Sequence, residues 1–338
     1  TLMEDSSRTF EIIYSAVNSA ENSLPVSRMC EIAGVSRSGY YAWIKAAPVR
    51  EKQELQDRKD FELILAAYRQ RGYSKGARGI YMSLLHMNPP VTMNLKKIRR
   101  IMAKYNLSCP IRKANPYRRI AKALKTSNVA ENLLQRQFED FGPRIVLLTD
   151  ITYLPYNETF AYLSTILDAY TKQILAYVIS ASLQVDFCFW RRLKTSFVNM
   201  VYLFIRKQFL HSDQGYHYTS YKFIDILRDK ELRQSMSRKG NCWDNAPQES
   251  FFGHMKDHIG NQIKNCTDFS QVKNLVDDYI DYYNNERYQW NLAKLSPNEF
   301  YQFYMTGEYP VKISNPPPAP QKAKDPKELD AHISKKDS

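Results

Sequence analysis

The sequence predicts an α/β protein, a mixed-sheet core in the second half preceded by all-α modules with a helix-turn-helix pattern. Three observations carry this. Apolar residues recur at helical spacing through the first 105 residues. From residue 144, three β-rich runs follow one another before strand and helix begin to alternate. The 338 residues, 43% hydrophobic, suffice for two or three domains with buried cores.

Residues 8–22 carry Phe10, Ile13, Tyr14 and Val17, the stripe of a short amphipathic helix, with Ser6 or Ser7 available as its cap. Residues 26–33, a turn at Gly34 and a second helix opening at Ser36 read as a helix-turn-helix. The second helix offers Arg37, Tyr40, Tyr41 and Lys45, side chains that reach phosphates and base edges. Residues 50–71 form a longer helix with Leu55, Phe61, Leu65 and Tyr68 among its apolar positions, stopped by Gly72. A further helical pair, 77–86 and 94–105, is divided by Pro89-Pro90, where a helix cannot continue. Its second member sets Ile98, Ile101, Met102 and Tyr105 on one face and Lys96, Lys97, Arg99, Arg100 and Lys104 elsewhere, five cations with no acid in twelve residues. That pattern predicts a surface for DNA. Between Arg112 and Lys125 lie six Lys and Arg and again no acid; Arg112, Lys113, Arg118 and Arg119 belong to an extended basic linker that tracks a duplex backbone or crosses to a second protomer.

Net charge is +13, and its location says more than its size. Residues 1–143 hold 24 Lys and Arg against 13 Asp and Glu, whereas residues 144–338 hold 24 against 22. The first half is the electrostatic footprint, and a polyanion is its natural partner. Cys30, Cys109, Cys188, Cys242 and Cys266 have no paired spacing, which fits free thiols in a reducing compartment. There is no secretory signal, and no apolar run approaches the ~18 residues of a membrane span. The expected location is the cytoplasm, with no membrane partner. The first residue is Thr1, which fits a chain that begins inside a longer translation product.

From Arg144 the pattern changes. Residues 145–153, 160–169 and 173–180 are three β-rich runs separated by Pro155, Asn157 and a break at Tyr170-Thr171-Lys172. A helix at about 186–200, a short strand ending at Leu210 or His211, a helix at 220–230, a strand around 232–235 and a helix from Pro247 follow. This is the ribonuclease-H-like order, a mixed sheet flanked by helices. Residues 269–283 form an amphipathic helix carrying Val272, Leu275, Val276, Tyr279 and Ile280. Tyr288, Trp290, Leu292, Leu295 and Phe300 then suggest a tail that packs on the core or on a partner protomer. The expected domains are a helix-turn-helix module (1–47), a second helical DNA-binding module (48–108), the basic linker (109–143), the core (144–262), a C-terminal helix with aromatic tail (263–309) and a disordered tail (310–338) rich in Pro, Lys, Asp and Ser.

Three carboxylates stand out within that core: Asp150 in Leu147-Leu148-Thr149-Asp150-Ile151-Thr152-Tyr153, Asp213 in His211-Ser212-Asp213-Gln214-Gly215, and Glu249 in Asn245-Ala246-Pro247-Gln248-Glu249. Brought together they would repel one another unless a cation shared them. Oxygen-only ligands suit Mg²⁺ or Mn²⁺, which keep waters and accept phosphate oxygens. Two such ions about 3.5–4 Å apart clamp the attacking and leaving oxygens of an in-line phosphoryl displacement, so the pattern predicts nuclease or strand-transfer chemistry. His254 and His258 are spaced i, i+4, but the residues between them lack the Glu of a zinc-hydrolase helix. Asp168, near the end of the second run, is read as a structural hydrogen-bond acceptor.

The motifs Thr149-Asp150-Ile151-Thr152-Tyr153, His211-Ser212-Asp213-Gln214-Gly215, Ser235 to Asn241 and Asp244 to Phe252, followed by Lys256, resemble the catalytic core of bacterial insertion-sequence transposases. These have a retroviral-integrase-like D-D-(35)-E core and are typically encoded in two overlapping frames. Thirty-five residues separate Asp213 from Glu249, and the resemblance extends to Tyr283-Asn284-Asn285-Glu286-Arg287, to Leu295-Ser296-Pro297, and upstream to Val35 through Trp43. It implies that Asp150 lies inside the first strand, Asp213 just past the fourth and Glu249 in the first turn of the last core helix, converging on one sheet edge. Asp150 would bridge two metal ions, Asp213 hold one and Glu249 the other. Lys256, seven residues after Glu249, would contact a phosphate beside the scissile bond. The loop with Arg238, Lys239, Asn241 and Trp243 would grip a distorted DNA end, Trp243 either stacking on an unpaired base or burying against the core. The resemblance further implies double-stranded DNA partners, the element's terminal inverted repeats and its target, and a dimer or larger assembly. A nuclease of the same fold without strand transfer, or a non-catalytic DNA-binding regulator, are the alternatives.

Overall fold

The computed structural model describes residues 2–20, 22–110, 142–182, 209–212, 233–236 and 246–321. Two compact units divide the chain, Thr1–Ala66 with Arg100–Asn106, and Ala67–Arg99 with Leu107–Ser338.

In the first unit, α1 (Leu2–Val17), α2 (Val26–Ile32) and α3 (Arg37–Lys45) bury Ile13, Met29, Cys30 and Tyr40, with Phe10, Val17, Val35 and Ile44 packed around them. Gly34, at φ 64°, makes the left-handed turn between α2 and α3, and the Ser36 hydroxyl caps α3 by accepting the Gly39 N–H at 3.0 Å. The first helix departs from expectation at both ends. It begins at Leu2, before the serines read as caps, and ends at Val17, where the Asn18 side-chain amide donates to Tyr14 O at 2.8 Å. Ser7 lies inside it and its hydroxyl accepts from the Trp43 indole N–H at 3.2 Å.

Two helices cross the boundary between the units in sequence: α4 (Ala47–Arg69), followed by a 3₁₀ turn, Gln70–Gly72, and α6 (Leu95–Lys104). Between them lies α5 (Ala77–Leu85). Within the first unit the Arg100 guanidinium forks onto the buried Asp57 carboxylate with two bonds of 2.7 Å, and Lys104 adds a third at 2.8 Å.

The second unit holds the sheet. Strands β1 (Val146–Tyr156), β2 (Thr159–Asp168), β3 (Ile174–Ser180), β4 (Phe209–Ser212) and β5 (Arg233–Met236) take the order β3-β2-β1-β4-β5. The first three are antiparallel neighbours, and β4 and β5 run parallel to β1, the ribonuclease-H-like topology. The β1–β2 hairpin turns on Asn157 and Glu158, both at positive φ. Strand β1 runs through Pro155, where the sequence predicts a break; among the described residues β4 pairs only with Val146–Leu148, so Pro155 lies on a stretch paired with β2 alone, where proline is tolerated.

After the sheet, the described residues form α7 (Ala246–Lys264), α8 (Phe269–Asn285) and α9 (Pro297–Thr306). Phe251, Phe252, Met255 and Ile259 of α7 and Val272, Val276, Tyr279 and Tyr283 of α8 share one core with Leu148, Leu154 and Leu163 of the sheet. The stretch expected to be a disordered tail from residue 310 is ordered at its start, because Val311 is buried with Leu85, Leu292, Leu295, Phe300 and Phe303. The expected helices at 186–200 and 220–230 and the linker from 111 to 141 lie outside the described residues.

Candidate active site and nucleic-acid surface

Asp150 is the fifth residue of β1, half-buried, level with Thr165 of β2. The four residues before it are all buried, so the strand emerges from the core at the acid. The Ile151 N–H donates to Asp150 Oδ1 at 2.7 Å. The β1–β4 register sets Leu148 beside His211, and β4 ends at Ser212, the residue before Asp213; Asp213 itself lies outside the described residues.

Glu249 is exposed in the first turn of α7, where a helix N-terminus favours a carboxylate. Its neighbour Gln248 fixes that turn. Gln248 is fully buried and its side-chain amide donates to the Thr165 hydroxyl, on the residue opposite Asp150. Two turns further along α7, the Lys256 ammonium is held below its usual range by loss of solvent, against the opposing pull of the Asp150 carboxylate. Strand and helix are thus locked together beside both acids by a side-chain bond between two buried polar groups. Neither Gln248 nor Thr165 was anticipated. Gln248 adjoins a suspected acid, but its partner lies 83 residues away and no local pattern announces it.

The other carboxylate of the sheet does something different. Asp168 is 0% exposed and accepts the N–H groups of Arg144 (3.1 Å) and Tyr170 (3.0 Å) and the Thr171 hydroxyl (2.8 Å), the structural role read from its position. His254 and His258 are pushed down to about 4 by burial and then by the nearby Arg287, and His258 stacks on Tyr73 with centroids 5.6 Å apart.

Among the expected DNA-contacting residues of the helical part, Arg37, Lys96 and Arg99 are exposed and Lys97 is half-buried. Two expectations need correction. Tyr40 is 1% exposed, because it falls on the face of α3 that packs on Phe10 and Cys30, so it supports the module from inside rather than meeting DNA. Arg100 is half-exposed, but its guanidinium is taken up by the bidentate bond to Asp57. Arg112, Lys113, Arg118, Arg119, Arg238, Lys239, Asn241 and Trp243 lie outside the described residues.

The sequence matches the family model described as integrase core domain over residues 140–242, a second so described over 249–303, and one described as HTH-like domain over 54–115. It is 30% identical over 283 residues to the insertion element IS600 uncharacterized 31 kDa protein of Shigella sonnei, covering 82% of this chain and 98% of that one. It is 29% identical over 294 residues to the putative transposase InsK for insertion sequence element IS150 of Escherichia coli, covering 84% and 96%. A solved structure of the HTLV-2 integrase catalytic core domain in complex with magnesium aligns over 48% of this chain and 99% of that one, at 12% identity and a TM-score of 0.37. The class is that of integrase-type catalytic cores joined to a helix-turn-helix-like module. Within it, the chain belongs to the insertion-sequence transposases, DDE-type polynucleotidyl transferases that bind DNA and depend on divalent metal. No helix among the described residues is long and apolar enough to cross a membrane.

Proposed function

We propose that the chain binds the terminal inverted repeats of its element and carries out 3′-end cleavage followed by strand transfer, with Asp150, Asp213 and Glu249 as the catalytic carboxylates. The observation that carries this reading is the Gln248–Thr165 bond, which fixes the first turn of α7, and with it Glu249, against the strand pair that bears Asp150. In chain order Asp213 directly follows β4, the parallel neighbour of β1.

The donor set suits hard cations. Asp150, at the end of a buried run, and Glu249, in the exposed part of the first turn of α7, both retain access to solvent, and both offer only oxygen. We assign two Mg²⁺ or Mn²⁺ ions to the three acids; when bound, they supply Lewis-acid stabilisation of charge on the phosphate and lower the pKa of the attacking water. Lys256, seven residues after Glu249 on α7, meets a phosphate oxygen of the scissile strand. In the first reaction water attacks the phosphodiester at the element end and the 3′-hydroxyl leaves. In the second that hydroxyl attacks another phosphodiester and displaces its 3′-oxygen. Both are in-line displacements, so one set of side chains serves both. Arg37, Lys96, Lys97 and Arg99 of the helical modules, with Arg112, Lys113, Arg118 and Arg119 of the linker, hold the duplex. Arg238, Lys239, Asn241 and Trp243 hold the end to be cut. Two ends must meet, which calls for a dimer or larger assembly, and the compartment is the bacterial cytoplasm.

The test is an oligonucleotide assay with the element's own ends and Mg²⁺. Joined products are expected from the wild type, and chelation by EDTA should abolish them. Asp150→Asn should keep end binding within about twofold while joining falls by at least ~10³, a loss of the order reported for removal of one electrostatic catalytic group. Cleavage without joining would indicate a plain nuclease, and binding alone a regulator.

A further inference from the structure

The turn that follows α8 is tightly closed. Gln289 N–H donates to Leu295 O at 2.9 Å and Lys294 N–H to Gln289 O at 3.1 Å. Closing it sets Ala293 at φ 53° and Lys294 at φ 66°, two consecutive residues with a Cβ in the left-handed region. Such a conformation persists only where the surroundings over-determine it, and it concentrates at functional sites.

What the turn holds out is Trp290, 43% exposed, whose ring lies 5.8 Å from that of Tyr81. Two cations from distant parts of the chain meet there. The exposed Arg78 of α5 lies 5.4 Å from the Trp290 centroid, and Lys294 lies 5.4 Å from Trp290 and 5.5 Å from Tyr81. Among the described residues neither cation has a carboxylate partner. A cation–π contact orients a charge without neutralising it. The indole therefore gathers two positive charges at an exposed point and leaves both available to an anion.

We propose that Arg78, Trp290 and Lys294 form a binding patch for backbone phosphates of DNA, separate from the carboxylate site and from the basic residues assigned to DNA above. The inference rests on the reading of the chain as a protein that acts on DNA. Contacts to phosphate are independent of sequence and are counted by salt: each one contributes about 0.9 to the slope of log K against log salt.

The experiment follows the full chain binding a fluorescein-labelled duplex of roughly 30 mixed base pairs by anisotropy across a salt series. The double variant Arg78→Gln with Lys294→Asn is chosen because Gln is a good helix former and Asn tolerates the left-handed region. Its salt slope should be shallower by about 2, and its affinity near 0.1 M salt lower by roughly tenfold. Trp290→Ala, which removes the ring that gathers both cations, should weaken binding in the same direction, with urea midpoints checking that each variant remains folded. A double variant with the wild-type slope and affinity overturns the patch and leaves the wider reading intact. A wild-type chain that binds no duplex overturns both.

Discussion

Asp150 and Asp168 lie on neighbouring strands and meet opposite surroundings. Asp168 is sealed in, and burial raises its pKa although Thr171, Tyr170 and Arg144 donate to it. Asp168→Ala would take the acceptor from three donors, the buried Thr171 hydroxyl among them, and should cost about 1–3 kcal/mol in urea unfolding, whereas Asp150→Asn should leave the unfolding midpoint nearly unchanged. Asp57 illustrates the reverse shift. Arg100 first, then Lys104 and Gln53, hold its carboxyl well below the ordinary range despite its burial. A depressed folded pKa stabilises fully above the unfolded value near 4, and that contribution is lost as pH falls towards the folded pKa. Hydrogen exchange in α4 and α6 should therefore speed up on acidification below about pH 4 in the wild type. In Asp57→Asn it should already be fast at neutral pH and respond little to acid. The role of a single residue was legible where its position in the chain settled it, as for Asp168 near the end of β2. It was hidden where it depended on a distant partner: Arg100 reads as a free surface cation until Asp57, 43 residues earlier, is seen beneath it. Tyr40 belongs with the legible cases that were misjudged, since Trp43 and Ile44 on the same face already marked α3 as packing there.

At the level of elements, α2 to α6 and the first three strands were located to within a few residues, the helices by their apolar spacing and the strands by short β-rich runs bounded by turn residues. What these patterns missed was set by tertiary context. Strand β1 continues through Pro155 on a stretch that β4 does not reach among the described residues. The helix α9 was read as an aromatic tail, although Ser296-Pro297-Asn298-Glu299 spells its capping box: the Ser296 hydroxyl accepts the Glu299 N–H at 3.3 Å and the Glu299 carboxylate accepts the Ser296 N–H at 2.9 Å. Ser296→Ala should lower stability by about 1 kcal/mol, seen as a shifted urea midpoint at unchanged slope. Gln248→Ala belongs to the same level. It should loosen the first turn of α7 and reduce joining more than DNA binding, whereas a loss confined to thermal stability would deny the turn its positioning role.

For the molecule as a whole, the strand order β3-β2-β1-β4-β5 brings the first and fourth strands side by side although more than 50 residues separate them in the chain. On the proposed reading, that crossover lets acids far apart in sequence serve one reaction, which is why the order and spacing of the motifs carry more of the function than any single motif. The proposed division of labour gives DNA affinity to the helical first half, which holds most of the excess positive charge, and the chemistry to the sheet and α7. The account stands most directly on one measurement, joining of element ends by Asp150→Cys, Asp213→Cys and Glu249→Cys variants in Mg²⁺ and in Mn²⁺. A thiolate is a poor ligand for Mg²⁺ and a better one for the softer Mn²⁺. Each variant is expected to fail in Mg²⁺ and to recover part of its joining in Mn²⁺; joining at the wild-type rate in Mg²⁺ by any of the three would contradict its assignment as a metal-binding carboxylate.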